Sequence, residues 1–122
     1  MLDIPFNGAS SGGEALEKYV AGVHPSPSAF ANLSVPAPGE LRFSYSGLKS
    51  AVKRYSGPEA EPNGTSSLPD GQKRELAAAF QAMAVRQLEE KTALALKAHA
   101  GPKPSSLVIS GGVASNAFLR QR

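Results

Sequence analysis

A short apolar run that ends in two glycines sets the firmest limit on how this chain can fold. Residues 106–110 (SLVIS) are apolar and β-branched at their centre, which is typical of a buried strand. Gly111 and Gly112 follow directly, and residues 117–120 (AFLR) have the composition of a helix start. We therefore predict a strand, a glycine turn and a helix in that order.

A long helical pattern precedes this run, and we predict one helix over residues 72–99. Its apolar positions (76, 80, 83, 84, 88, 94 and 95) recur with the 3.6-residue period of a helix that buries one face. Asp70 stands where an N-cap is expected, and Gly101 and Pro102 end the pattern. A helix that leads into a strand, a turn and another helix is an α/β unit, so we predict the α/β fold class.

The first half of the chain has weaker patterns. Residues 14–20 predict a short amphipathic helix that ends at Gly22, and residues 41–45 alternate as a half-buried strand does. Residues 48–55 predict a second helix with Ser46 as its N-cap. The stretches 25–40 and 56–71 are rich in proline, glycine and serine, and we predict loops there.

Composition excludes several kinds of protein and site. The 122 residues fit one small domain or one lobe of a larger one. With no cysteine, disulfides and thiolate sites are excluded, and the net charge of +3 permits nucleic-acid contact without arguing for it. No apolar run approaches the roughly 20 residues of a membrane span, so we expect no membrane segment.

The glycine turn has the strongest chemical pattern. Glycines let a ligand approach the backbone closely, and a helix start offers free N–H groups to phosphate oxygens. Asn116, next in line, has both a donor and an acceptor for a ribose or carbonyl group. From these residues alone, an ordinary strand-to-helix turn with a capping asparagine is the favoured interpretation, because a lone glycine pair is a weak signal.

Other polar groups carry less information. The cluster of Ser44, Tyr45, Ser46 and Lys49 fits phosphate contact, but local capping with a solvated lysine explains it more simply. Glu14 and Glu17 are three residues apart, a spacing common on solvated helix faces. No histidine stands in a metal-ligand spacing, and no serine has an activating partner, so we predict neither a metal site nor a catalytic residue in this chain.

Several segments resemble one known family. Residues 43–50 (FSYSGLKS) are similar to the FSFSGLKT signature of the bacterial and mitochondrial tRNA N6-adenosine threonylcarbamoyltransferases, a glycoprotease-like family. Residues 107–120 (LVISGGVASNAFLR) resemble its LVxxGGVxxNxxLR stretch, and residues 13–18 (GEALEK) its GEAFDK segment. Residues 79–81 (AFQ) also fit the family pattern. The resemblance covers the whole chain, and we expect residues 1–122 to form a partial glycoprotease-like domain.

The resemblance implies an incomplete lobe of the actin-like ATPase fold, the class of sugar kinases and Hsp70. It implies transfer of a threonylcarbamoyl group from threonylcarbamoyl-adenylate to N6 of the adenosine beside the tRNA anticodon, assisted by iron or zinc. It also implies substrate-binding roles for Asn116, Gly111 and Gly112. Glu17 stands where the family usually has aspartate, and its longer carboxylate is expected to reach a ribose hydroxyl.

The family's metal ligands have no match within these residues, so we expect them to lie before Met1 and beyond Arg122. The chain is then expected to be a portion of the enzyme and inactive by itself. One alternative is a non-catalytic fragment that binds tRNA or a partner subunit, and another is a different nucleotide binder of the actin-like class. A homodimer or a partner subunit is also expected among the partners. The branch that the chain resembles suggests a mitochondrial location, with the cytoplasm as the alternative.

Overall fold

The structure is a computed structural model that describes residues 2, 4–25, 33–56 and 68–122. Within these ranges, the regular elements are four α-helices and one short 3₁₀ helix. They are α1 (Gly12–Tyr19), α2 (Ser46–Tyr55), α3 (Asp70–Ala98), the 3₁₀ helix Gly112–Ser115 and α4 (Ala117–Arg120). All of the helices that the sequence predicts are therefore present among the described residues.

Helix α3 is the central element, and both α1 and α2 pack against it. Four consecutive α3 residues, 76–79, are buried, so this part of the helix is enclosed on several sides. Leu48 and Val52 of α2 are each 1% exposed and belong to the same core as Leu76, which is 0% exposed. Toward its C-terminus α3 emerges into solvent, and Ala95, predicted to lie on the buried stripe, is exposed.

The end of α1 is fastened to the start of α3. The Tyr19 hydroxyl donates to Asp70 Oδ1 at 2.8 Å, and Arg74 Nε donates to the Tyr19 carbonyl oxygen at 3.0 Å. Partial burial, followed by the hydrogen bond to Asp70, raises the pKa of Tyr19 to about 12. Tyr19 therefore stays a neutral hydrogen-bond donor at physiological pH and holds α1 against α3.

Two predicted caps are displaced by one residue. Ser46 is the first residue of α2, whose N-cap is Tyr45, and Asp70 is the first residue of α3, whose N-cap is Pro69. Neither cap residue makes a side-chain hydrogen bond to the helix start. Asp70 instead lies in the first turn of α3, where its negative charge is favourable beside the positive end of the helix dipole.

The two predicted strands do not form in the described part of the chain, so the α/β prediction is confirmed only for its helices. A strand exists through hydrogen bonds to a neighbouring strand, and residues 105–110 make no backbone–backbone hydrogen bond within the described ranges. Val108 is 84% exposed, whereas the sequence pattern predicted burial. Leu41 and Phe43, on the other predicted strand, are also more than half exposed.

Residues 26–32 and 57–67 of the two predicted loops lie outside the described residues, and residues 70–71, predicted as the end of the second loop, belong to α3. The described stretch 33–40 contains no helix and lies against α3. Lys91 Nζ donates to the Ala37 carbonyl oxygen at 2.5 Å, and Gly39 N donates to Glu90 Oε1 at 3.0 Å. These bonds hold the loop on α3, and the bond from Gly39 is the main cause of the lowered pKa of Glu90.

Candidate functional site

A cavity of about 730 Å³ lies between α1, α3 and the glycine turn. Three of the four predicted substrate-binding residues line it, namely Glu17, Gly112 and Asn116. Glu17 comes from the N-terminal part of the sequence, whereas Gly112 and Asn116 come from the C-terminal part. Residues of α3 form a further wall of the cavity. The fourth predicted residue, Gly111, is not among the lining residues.

Glu17 joins the two ends of the chain at this cavity. Its Oε1 accepts a hydrogen bond from the Ala117 backbone N–H at 2.6 Å. A carboxylate that accepts from the first N–H group of a helix satisfies a group that has no partner within the helix, and the helix dipole favours its negative charge. Glu17 therefore fixes the start of α4 against α1, and its other carboxylate oxygen has no bond to α4 in the described chain.

Asn116 is the N-cap of α4, as the simpler sequence interpretation had it. Its Oδ1 accepts from Leu119 N at 2.9 Å, and its Nδ2 donates to Gln81 Oε1 at 3.4 Å. The side chain is half-buried and also lines the cavity. Asn116 thus has a structural role at the helix start and a position from which it can contact a ligand.

The glycine turn differs from the predicted anion site. Gly111 has φ +95°, a left-handed conformation that suits glycine, and the 3₁₀ helix follows it. Glu17 and Asn116 already accept from the first and third N–H groups of α4. The start of α4 is therefore occupied by the chain's own oxygens, and the expectation that it offers free N–H groups to phosphate is wrong for these two groups.

The polar cluster at the start of α2 is split between the cavity and the surface. Tyr45 lines the cavity, whereas Ser44 N donates to Gln87 Oε1 at 2.7 Å, and the Ser44 and Ser46 hydroxyls lie 3.2 Å apart. Lys49 is exposed. The two serines are thus bonded locally, although neither hydroxyl caps α2, and Tyr45 is the member of the cluster that lines the cavity.

The sequence patterns missed the contribution of α3 to this site. Phe80, Gln81 and Leu88 line the cavity, as do Ala84 and Val85. Most of these residues had been assigned only to the core. Gln81 was the one available signal, because an amide side chain that interrupts an apolar helix face needs a polar partner when it is buried.

Glu14, which also lines the cavity, has a carboxyl group with a lowered pKa. Its Oε1 lies 2.7 Å from Lys18 Nζ, and its Oε2 accepts from Ser10 N at 2.7 Å and from the Ser10 hydroxyl at 2.6 Å. The hydrogen bond from Lys18, followed by those from Ser10, lowers the pKa of Glu14 to about 2. Ser11, the N-cap of α1, accepts from Glu14 N and completes this arrangement.

A lowered pKa predicts a specific dependence on acid. The bonds to ionised Glu14 stabilise the start of α1 above the unfolded-state pKa of about 4.5, and this stabilisation is lost as pH falls toward about 2. A carbon-13 NMR titration of the Glu14 carboxyl should give a midpoint near 2, and Lys18→Met should raise it. Lys49→Met, which removes an exposed lysine elsewhere, is the control. An unchanged Glu14 midpoint in Lys18→Met would contradict the assignment.

Metal chemistry finds no ligand set in the described part of the chain. Within residues 2, 4–25, 33–56 and 68–122, no group of three or more histidine, cysteine, aspartate or glutamate side chains could hold a metal ion. The described residues thus do not fit the metal that the family resemblance implies, and we derive no step through one. Among the described helices, none combines the length and the apolar character that crossing a membrane requires.

Comparison with known proteins gives a consistent result. A model of the family described as tRNA N6-adenosine threonylcarbamoyltransferase matches residues 2–122. The protein of that name from Chelativorans sp. (strain BNC1) is 36% identical over 126 residues, which cover 98% of this chain and 31% of the relative. The Bordetella petrii protein of the same name is 41% identical over 114 residues, covering 90% of this chain and 30% of the relative. No solved structure matches the chain.

Proposed function

This chain belongs to the tRNA N6-adenosine threonylcarbamoyltransferase family, and on that premise we propose that its cavity forms part of the cleft for threonylcarbamoyl-adenylate. The chain spans about a third of the length of the relatives from Chelativorans and Bordetella. The proposed overall reaction transfers the threonylcarbamoyl group to N6 of the adenosine beside the tRNA anticodon. One observation carries the proposal: Glu17, Gly112 and Asn116 meet at a single cavity.

The size and lining of the cavity support a ligand of this class. Small-molecule sites commonly enclose about 300–1,000 Å³ and combine apolar walls with a few polar groups. Here the apolar wall includes Leu16, Phe80 and Val113, and the cavity volume is about 730 Å³. The purine would lie against the aromatic side chains of Phe80 and Tyr45, where ring contacts are favourable.

Charge supports one orientation of the adenylate. Glu14 and Glu17, both on α1, line the same side of the cavity. A carboxylate accepts hydrogen bonds from hydroxyl groups and repels a phosphate. The ribose hydroxyls are therefore proposed to face Glu17, and the phosphate to lie on the side of the Gly112 backbone.

The family also supports a proposal about the two unpaired segments. We propose that residues 41–45 and 106–110 become strands of an actin-like lobe when strands from outside these ranges pair with them. The proposal is supported by the alternating pattern of the first segment and the apolar run of the second, whose backbone groups make no ladder bonds to other described residues. A further part of the enzyme, a second copy or a partner subunit would supply the pairing.

An NMR titration of the nitrogen-15-labelled chain tests the cavity. A non-hydrolysable analogue of threonylcarbamoyl-adenylate is expected to shift the amide signals of Glu17, Gly112 and Asn116 in a saturable way. Ala84→Leu, which narrows the cavity from α3, should weaken binding of the analogue by about fivefold or more, because overpacking costs about 1–3 kcal/mol.

The matched control is Ala82→Leu, the same substitution on the same helix at a position outside the cavity lining. It should leave the affinity close to that of the unsubstituted chain. Shifts scattered over the surface, or equal weakening by both variants, would sink the proposal that this cavity is the ligand site.

A further inference from the structure

The hydrogen bond from Leu119 N determines the orientation of the Asn116 side-chain amide, with Oδ1 toward the start of α4. A backbone N–H can only donate, so the atom that receives it must be the carbonyl oxygen, Oδ1, at 2.9 Å. The Nδ2 group therefore points away from α4. The side chain is held in this orientation by the helix start itself, before any ligand arrives.

Gln81 takes up one of the two hydrogens of that Nδ2 group. Its Oε1 accepts from Asn116 Nδ2 at 3.4 Å, across 35 positions of the sequence, and the residue is only 9% exposed. The distance is longer than the usual 2.9–3.0 Å or so, as site hydrogen bonds often are before a ligand binds. The Asn116 Oδ1 accepts the capping hydrogen bond, and one Nδ2 hydrogen is donated to Gln81. The second Nδ2 hydrogen is therefore the one that can be donated to a ligand.

We infer that Gln81 is a positioning residue that holds the Asn116 amide as a hydrogen-bond donor, and not as an acceptor, toward the ligand. This inference rests on the proposed function, because it takes the cavity as the ligand site. It follows that the ligand atom at Asn116 is an acceptor, such as a hydroxyl oxygen, a ring nitrogen or a carbonyl oxygen. A ligand that presents only a donor at this point would be rejected.

Gln87, a second buried glutamine on α3, shows what a purely structural role would be, and it serves as the comparison for Gln81. Gln87 is also buried, at 0% exposure, and its Oε1 accepts from Ser44 N at 2.7 Å. It does not line the cavity. If Gln81 served only to satisfy buried polar groups, replacing either glutamine by methionine would have the same kind of effect on stability and none on the ligand.

The experiment compares Gln81→Met, Gln81→Glu and Gln87→Met in the full chain. In Gln81→Met the Asn116 side-chain NH₂ signals should move in the ligand-free NMR spectrum, and the affinity for the adenylate analogue should fall about tenfold, as expected for one lost hydrogen bond. Gln81→Glu keeps an oxygen acceptor and should leave the Asn116 signals near their original positions. Gln87→Met should lower the melting temperature and leave both readouts unchanged.

The two readouts separate this inference from the proposed function. If the unsubstituted chain does not bind the analogue, the proposed function fails, and the ligand half of the inference fails with it. Unchanged Asn116 side-chain signals in Gln81→Met would overturn the positioning role whatever the ligand does. Unchanged affinity in Gln81→Met, beside clear binding by the unsubstituted chain, would overturn the ligand half alone.

Discussion

Leu76→Ala is expected to lower the free energy of unfolding by about 2–5 kcal/mol, the usual range for removing a fully buried leucine. Leu76 is 0% exposed and belongs to the core that joins α3 to α2 and the N-terminal residues. Most of the lost free energy comes from buried apolar area and from the cavity that remains. For a small domain with about 5–15 kcal/mol of total stability, such a loss is severe.

The control is Leu96→Ala, the same substitution near the other end of α3. Leu96 is 47% exposed, so its truncation should cost less than about 1 kcal/mol. Urea unfolding followed by circular dichroism measures both variants. Equal losses at the two positions would show that the N-terminal half of α3 is not the centre of the core.

Asn116→Asp is expected to weaken binding of the adenylate analogue by tenfold or more, with little change in melting temperature. Aspartate is as good an N-cap as asparagine, so the bond to Leu119 N is kept. The substitution replaces the Nδ2 donor by an oxygen that only accepts at neutral pH, and it adds a negative charge close to an anionic ligand.

Asn116→Ala separates the cap from the contact, because it removes both. This variant should lose about 1 kcal/mol of stability as well as affinity. Calorimetric titration with the analogue and thermal unfolding, performed on the same samples, give the two quantities. Full affinity in Asn116→Asp would mean that the donor at this position does not touch the ligand.

The helices were predictable from the sequence because their signals are local. The apolar period over residues 72–99 and the turn residues around it define α3 to within two residues of its observed bounds, Asp70–Ala98. The N-caps were predicted one residue away from their observed positions. Ser46 was expected to be the N-cap of α2, but it is the first helical residue. Strands were predicted from local alternation over residues 41–45 and from an apolar run over residues 106–110, yet a strand also needs a neighbouring strand, which the described residues do not supply.

The family resemblance is confirmed by the match over residues 2–122. The substrate-binding roles of Glu17, Gly111, Gly112 and Asn116 stay predictions, although three of these residues share the cavity. The bond between Gln81 and Asn116 was not predicted because the two residues lie 35 positions apart, and no local pattern encodes that contact. Long-range pairings of this kind follow from the packed fold and not from periodicity.

The bond between Glu17 and Ala117 spans 100 positions of the sequence, which has a consequence for how the chain matures. At a synthesis rate of about 5–20 residues per second, Ala117 is synthesised roughly 5–20 s after Glu17. Closing so long a loop carries an entropic cost that local helix formation does not. We therefore expect the walls of the cavity to come together late in folding, and a ligand that binds only the assembled cavity to stabilise the contact between the two distant parts of the chain.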